Sequence, residues 1–581
     1  MRFRILRLLG LFILGIVLLT ARHYLGDGRY VPNLFALYPL WFWGLMVALV
    51  AVGYAIILNS INQDKNREWR WGILFIAAVN GYVLAMPYFH DFAFAGAWDP
   101  IVHYSRSFNI LKTGRPDNLN IYPISHLWVV FFNYLSGVPL NKIILLLPVG
   151  MYLVYLANLK FAANVFFKAR RVQIMSLALA LPLLYGTFGL FYRPTQNGFY
   201  FVPLFLGLVH QLFFYPSSTK VRVLFILQLI IVPFLHPWFL ISSIVIVSLY
   251  TIFHRHAVEQ AKDGRKFVYM TSLGGLLLSF FWFWNSQTIQ VVSTRIIGSA
   301  VYGFSKAHSL NQYLQNAARA QLSFQKILSL MFFRYGGAIL FLTLAGMIIL
   351  WMLRLARRGE LHFRPEFKSL LLYGLVFGGL AFSTLFVDLS AIDVLRLSSY
   401  VILAAIFMIA SILARVNLSS GLIGGALTVI LVIGALGTHP IPASGQPNQN
   451  VTYSQIEAVQ SFLTTPSGVN HRDVYSAFRG ARYIFSSFTR DEVRFVRRTS
   501  QDSFDLLIPW QLEFEETENT IGSGDYIWLP EYDFVYYTEV WPEDGRLSLD
   551  AFARLDADSN WNMIYSSEDF RIYKRRWQLA P

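Results

Sequence analysis

The sequence predicts a polytopic α-helical membrane protein carrying a small α/β domain at its C-terminal end. Three observations lead there. The 581-residue chain is 55% hydrophobic and only 14% charged, too apolar and too charge-poor for a soluble protein of that length. Through the first 437 positions one apolar window follows another, each long enough to cross roughly 30 Å of hydrocarbon. After residue 450 the composition changes to that of a soluble domain.

The elements follow in chain order. Arg2, Arg4 and Arg7 precede LLGLFILGIVLLT, the pattern of a signal peptide. The following ARHYLGDG offers no small-x-small cleavage site, so the segment reads as an uncleaved first helix with its N-terminus in the cytosol. Thirteen spans are expected, at 8–20, 35–59, 71–89, 142–166, 172–191, 199–215, 223–236, 239–254, 267–285, 330–352, 369–387, 397–414 and 420–437. The apolar HLWVVFFNYL at 126–135 is too short to span and is expected to lie along the interface or re-enter. The loops QDKNREWR, KARR, STKVR, HRHAVEQAKDGRK and RLARRGELHFRPEFK then all fall in the cytosol, in accord with the positive-inside rule. The pair 223–236 and 239–254 decides this. A hairpin at His236-Pro237-Trp238 keeps the later basic loops inside; one kinked helix would put them outside. Residues 88–141, 286–329, 388–396 and 438–581 lie on the exterior.

The chain thus divides into a transmembrane domain (1–437), a Pro/Gly/polar linker (438–450, THPIPASGQPNQN) and an exterior α/β domain (451–581). In the last, YSQIEAVQSFLTT has helical spacing. DYIWLP, DFVYYTEV, WNMIYS and FRIYKRR read as strands, the final two joined by SED as a hairpin.

Charge divides the same way. Residues 445–581 hold 13 basic and 21 acidic residues, net −8; residues 1–444 hold 35 and 12, net +23. The basic excess sits in short inter-helix loops, so it reports orientation and contact with anionic membrane lipid rather than a nucleic-acid partner. Cysteine is absent, which excludes disulfides, thiol catalysis and Cys-ligated zinc. The sequence has no Walker A motif, no GxGxxG before a helix, no HExxH and no GxSxG. Its short cytosolic loops leave no room for a nucleotide-binding domain, which disfavours ATP or a nucleotide sugar as the direct substrate.

Chemistry is expected in the long polar loop at 88–126, which holds Asp91, Asp99, His103, Arg106 and His126. Ionisable groups beside a bilayer are costly and commonly functional. In Asp99-Pro-Ile-Val-His103 the acid and the imidazole share a helix face. Two readings stand side by side. Asp99 caps an interfacial helix with Pro100 at its first position, or it is a general base or a metal ligand together with His103. Tyr122-Pro-Ile-Ser-His126 follows on the same side. Asp388-Leu-Ser-Ala-Ile-Asp393-Val-Leu-Arg396 is a short exterior loop ending in arginine, the residue suited to bidentate phosphate recognition; Asp393 and Arg396 read equally as a capping pair. Arg193, in FYRPTQN, and His236 lie at exterior turns. The loop 286–329 is basic and without acid, which suits an anionic substrate or a solvated connection.

WDPIVHYSRSFNILKTG with NIYPISH, FLHPWFL, IDVLRLSSY and the terminal IYSSEDFRIYKRR together resemble the GT-C superfamily of membrane glycosyltransferases, which includes protein O-mannosyltransferases and oligosaccharyltransferases. The chain departs from that pattern in two ways. Asp91 and Asp99 are eight residues apart rather than a paired-acid motif, and WWDYG is absent, which argues against transfer of whole oligosaccharides to asparagine. The resemblance implies a sugar donor linked to polyprenyl phosphate and a glycan, lipid or protein acceptor at the exterior face of the plasma membrane. Asp99, or Asp91, would deprotonate the acceptor hydroxyl or bind a divalent cation, Mg or Mn. Arg396 would neutralise the leaving phosphate, and His103 and His126 would orient base or sugar. Tyr122, Arg193, His236 and Asp393 would complete the substrate-binding set. The competing expectations are a transporter or flippase of a lipid-linked or small anionic substrate, and a scaffold whose exterior domain binds a partner. Transporters place ionisable residues near the midplane, whereas here the acids gather in the exterior loops.

Overall fold

The long apolar windows fold as helices, as their length and composition require. A computed structural model of the chain describes residues 2–576 apart from 63–66, 97–98, 118–119, 216–217, 254–261, 287–322, 359–364, 384–393, 415–418, 465–473, 477–505, 508–525 and 543–547. Most of the 286–329 loop, and Asp388 and Asp393, therefore lie outside the described residues.

In chain order the first helices are α1 (Arg2–His23), α2 (Leu40–Asn62) and α3 (Trp69–Phe89). The exterior loop follows with α4 (Asp99–Thr113) and α5 (Pro123–Ser136). Then come α6 (Leu140–Phe166), α7 (Arg170–Ala180), α8 (Thr187–Leu190), α9 (Pro194–Phe214), α10 (Thr219–Leu235), α11 (Pro237–Phe253) and α12 (Lys262–Trp284). The layer closes with α13 (Phe324–Arg357), α14 (Pro365–Ser383), α15 (Val394–Leu413) and α16 (Ser420–Leu436). Among the described residues eight of these helices are long and apolar enough to cross a membrane, and three further apolar helices are shorter. The protein is a multi-pass helical membrane protein.

Side-chain contacts give the relative directions of α9, α10 and α11. Phe225 of α10 meets Phe205 of α9, while His236, at the end of α10, bonds Thr195 at the start of α9. These two helices are antiparallel. Along α11, Phe239 meets Phe205 and Tyr250 meets His210, so α11 runs parallel to α9. The chain therefore reverses at His236-Pro237, the hairpin that the charge pattern requires. His236 is extended (φ −171°, ψ 142°), and Pro237 at the next helix start favours that conformation in the residue before it.

The span expected at 172–191 is not one helix. α7 stops after 11 residues, because Pro182 has no N–H with which to continue the ladder. The backbone then runs irregularly to Gly186. Irregular backbone inside a helical layer must find its partners within the protein, and it does. Leu181 O accepts from Asn80 Nδ2 at 2.7 Å and from Tyr152 Oη at 3.0 Å. Gly186 has φ +53°, and a Cβ there would sit 3.4 Å from the carbonyls of Arg334 and Gly437. The break delivers Phe188, Phe191, Tyr192 and Arg193 to the face where α4 and α5 lie.

α5 keeps to the surface, as its length predicts. His126, Val129 and Val130 are buried, while Phe131, Tyr134 and Leu135 are exposed, an apolar outer face that suits the membrane interface.

The C-terminal domain begins with α17 (Tyr453–Thr464) as expected. Its sheet, with β1 (Val474–Ser476), β2 (Leu506–Leu507), β3 (Tyr526–Pro530), β4 (Trp561–Ser566) and β5 (Phe570–Arg575), has the order β2-β1-β3-β5-β4. β1 is parallel to both neighbours, and β5 is antiparallel to β3 and β4. The SED hairpin forms. DFVYYTEV, expected as a strand, is instead helical: α18 (Glu531–Val535) continues into a wide turn at Tyr536–Val540. Tyr532 stacks on Tyr536 one turn on, a contact that helical spacing allows and a strand does not, so local terms override strand propensity. α19 (Leu549–Ala557) completes the domain.

Residues 438–450 are packed rather than loose. Asn448 donates from N to Pro32 O and from Nδ2 to Val31 O, both at 2.9 Å, and His439 Nε2 bonds Val83 O at 2.7 Å. Polar composition there satisfies buried backbone instead of solvating a linker. Val451 then pairs with Phe94, and Ala93, Phe94 and Ile101 share a core with Val459, Phe462, Trp528 and Phe570. The C-terminal domain thus clamps the backbone on both sides of Asp99.

Candidate active site

Asp99 stands in the first turn of α4, its side chain half-exposed at 51%. Arg193, immediately before α9, places Nε 3.6 Å from Asp99 Oδ2, a charge contact rather than a full hydrogen bond. One turn along α4, His103 is buried with Nδ1 2.9 Å from His126 Nε2. His126 Nδ1 lies 2.8 Å from Asn120 Oδ1, which also accepts from Tyr122 N at 3.2 Å. Burial lowers His103 to about 4, with Asp99 opposing and Arg106 and Arg193 adding to the effect. Burial likewise holds His126 well below the usual range. Both imidazoles are neutral at pH 7.

Tyr122 stacks on His236, centroids 4.9 Å apart and planes at 20°. His236 Nδ1 accepts from Trp238 N at 3.1 Å, so Nε2 carries the proton and donates to Thr195 Oγ1 at 3.0 Å. Burial, then the fields of Arg396 and His103, push His236 down. Burial raises Tyr122, opposed by Arg396 and Arg106. Arg396, in the first turn of α15, lies 5.9 Å from the Phe188 ring, and Arg193 lies 5.0 Å from the same ring and 4.9 Å from Phe191. Two guanidiniums therefore sit against one aromatic ring. Ser125 ties α5 to this segment: Tyr192 Oη donates to its carbonyl at 2.7 Å and Asn197 Nδ2 to its Oγ at 3.1 Å.

Asp99, His103, Tyr122, His126, Arg193, His236 and Arg396 are thus gathered from α4, α5 and the starts of α9, α11 and α15. Asp91 is placed differently. It sits in the turn after α3 at φ +56° and pairs with Lys142 at the start of α6. Asp393 lies outside the described residues. Sequence reasoning missed Asn120, Ser125, Thr195 and Phe188. Asn120 and Ser125 lie within NIYPISH and Thr195 within FYRPTQN, but none of the three was singled out there.

Asp99 and His103 are the expected metal ligands; His103 Nδ1 is taken by His126, and among the described residues no three His, Asp or Glu side chains gather to hold a metal. Mg and Mn favour several oxygen ligands. Among the described residues Arg106, Arg193 and Arg396 outnumber Asp99 and Asp117, a balance that favours an anion.

No family model matches the sequence, and no curated protein matches it. Among solved structures, ArnT from Cupriavidus metallidurans bound to undecaprenyl phosphate is similar at 11% identity and a TM-score of 0.49, over 87% of this chain and 98% of that one. The same protein in the apo state gives 12% and 0.45, over 86% and 97%. The Archaeoglobus fulgidus oligosaccharyltransferase tethered to an acceptor peptide with an NVT sequon gives 11% and 0.49, over 88% and 74%. The likeness is distant and concerns the fold alone; no residue role is transferred from it.

Proposed function

We propose that the chain is an integral-membrane glycosyltransferase that moves a sugar from a polyprenyl-phosphate-linked donor to an acceptor hydroxyl on the exterior face. One observation carries the reading. A half-exposed carboxylate, Asp99, sits 3.6 Å from Arg193, which with Arg396 flanks Phe188. A base and an anion pocket thus adjoin on one face.

The donor phosphate lies against Arg396 and Arg193, where guanidinium geometry matches phosphate oxygens. The acceptor hydroxyl binds at Asp99. As its oxygen attacks the anomeric carbon, its proton passes to the carboxylate, and the bond from that carbon to the phosphate oxygen breaks. Polyprenyl phosphate leaves with its charge held by Arg396, which stabilises the transition state electrostatically. Tyr122 and His236 form an aromatic wall for the sugar. An apolar groove of about 560 Å³ between α2, α3 and α16, lined by Trp43, Val47, Val79 and Leu431, has the lining a prenyl chain needs. Orientation rests on the basic residues at the opposite ends of the helices, Lys168, Arg171, Lys220 and Arg222 among them, which mark the cytosolic side of a plasma membrane.

The test is sugar release from polyprenyl-phosphate hexoses and pentoses by purified protein in liposomes, with and without EDTA. Wild type is expected to transfer label, and Arg396→Ala to lose roughly 10²–10³-fold in kcat. The EDTA arm reports on a divalent cation. Uptake of donor across the liposome membrane without transfer would replace this reading with transport.

A further inference from the structure

Asn120, His126 and His103 form a buried, directional chain of hydrogen bonds, from which we infer that His103 presents an unprotonated Nε2 that accepts a hydrogen bond from a substrate hydroxyl. This rests on the glycosyl-transfer reading and assigns His103 to the sugar rather than to a metal.

The backbone sets the direction. Tyr122 N donates to Asn120 Oδ1 at 3.2 Å, which fixes the oxygen end of the amide. His126 Nδ1, 2.8 Å from that same oxygen, must therefore carry its proton. In a neutral ring Nε2 is then an acceptor. His103 Nδ1, 2.9 Å away, supplies the proton, which leaves His103 Nε2 as a lone pair. Among the described residues the hydrogen bond that this ring makes is the one at Nδ1. The charged groups that bear on this ring are Asp99 and Arg106 on α4 and Arg193 before α9. The two arginines disfavour a second proton.

His103 follows Asp99 by one helical turn, on the same face. A carboxylate and an imidazole lone pair side by side are two acceptors. They match a ligand with two neighbouring hydroxyls, the chemistry of a sugar, and leave the phosphate to Arg193 and Arg396. One hydroxyl gives its proton to Asp99; a second donates to His103 Nε2. Asn120 never touches substrate and is a positioning residue. Its Nδ2 is buried without a hydrogen bond among the described residues, so the amide is held through its oxygen.

Two substitutions separate the functions of the ring. His103→Asn puts an amide near the Nδ1 position and keeps a partner for His126 while removing Nε2. His103→Gln reaches the Nε2 position. His103→Asn is expected to lower kcat/KM roughly tenfold, the order of one neutral hydrogen bond, and His103→Gln to recover most of that loss. Asn120→Leu is expected to cost a similar factor in wild type and nothing further in His103→Asn, because it acts through His103. Wild-type rates in His103→Asn, or additive losses, overturn the assignment. Solid-state ¹⁵N spectra of histidine-labelled protein in bilayers test the chain without any turnover. Both rings should be protonated at Nδ1; protonation at Nε2 of either overturns the inference even if transfer occurs. A wild type that transfers no sugar from any donor removes the substrate role together with the parent reading, whatever the tautomers.

Discussion

Asp99 is where residue-scale chemistry concentrates. Its spacing from His103 made both legible in the sequence, because an acid and an imidazole one turn apart in a long polar loop between apolar segments stand out. Arg396, Arg193 and His236 were legible as cations and imidazoles at turns, but nothing in the sequence said that three distant turns meet. Asn120, Thr195 and Phe188 carry no spacing signal; a short amide, a hydroxyl and an aromatic are common at interfaces. The buried imidazoles also set a pH dependence. His103, His126 and His236 all lie below their usual range in the folded protein, with burial the first cause. The unfolded chain therefore takes up protons first as pH falls. Stability is fully present above about 6.5 and declines from there toward about 4. Thermal unfolding in detergent across that range should show a falling midpoint, and replacing His126 with Gln should flatten the slope.

At the scale of elements, helices were legible wherever apolar length sufficed, and misread where length was present but continuity was not. The segment 172–191 is apolar enough for a span, yet Pro182 ends α7, and the freed carbonyl of Leu181 is bonded by Asn80 and Tyr152. Hydropathy cannot see that exchange, because it depends on polar groups from two other helices. Asn80→Leu leaves Tyr152 as donor and is expected to cost less than about 1 kcal/mol. Asn80→Leu with Tyr152→Phe leaves the carbonyl bare and is expected to cost about 1–3 kcal/mol, read as a lower unfolding midpoint than either single variant. DFVYYTEV was misread for the opposite reason. Its aromatic and β-branched content favours a strand in isolation, and here Tyr532 stacks on Tyr536 along a helix.

At the scale of the whole molecule, the multi-pass architecture and the separate C-terminal domain were legible from composition alone. Their joint was not: the polar stretch 438–450 is a packed strap, and the domain grips the loop on both sides of Asp99 through Phe94, Ile101 and Trp528. Sidedness is open to a direct check because the chain has no cysteine. Arg115→Cys, in the connection between α4 and α5, should react with a membrane-impermeant maleimide on intact cells; Lys220→Cys, at the other end of the helices, should react only after permeabilisation. The reverse pattern would place the site in the cytosol. Glycosyl transfer through Asp99 is tested most directly by comparing wild type with Asp99→Asn for transfer of radiolabelled sugar from polyprenyl-phosphate donors in membranes. Label moved by wild type and reduced at least roughly 10²-fold in Asp99→Asn, with both proteins equally folded, is the expected result. Full transfer by Asp99→Asn would contradict it.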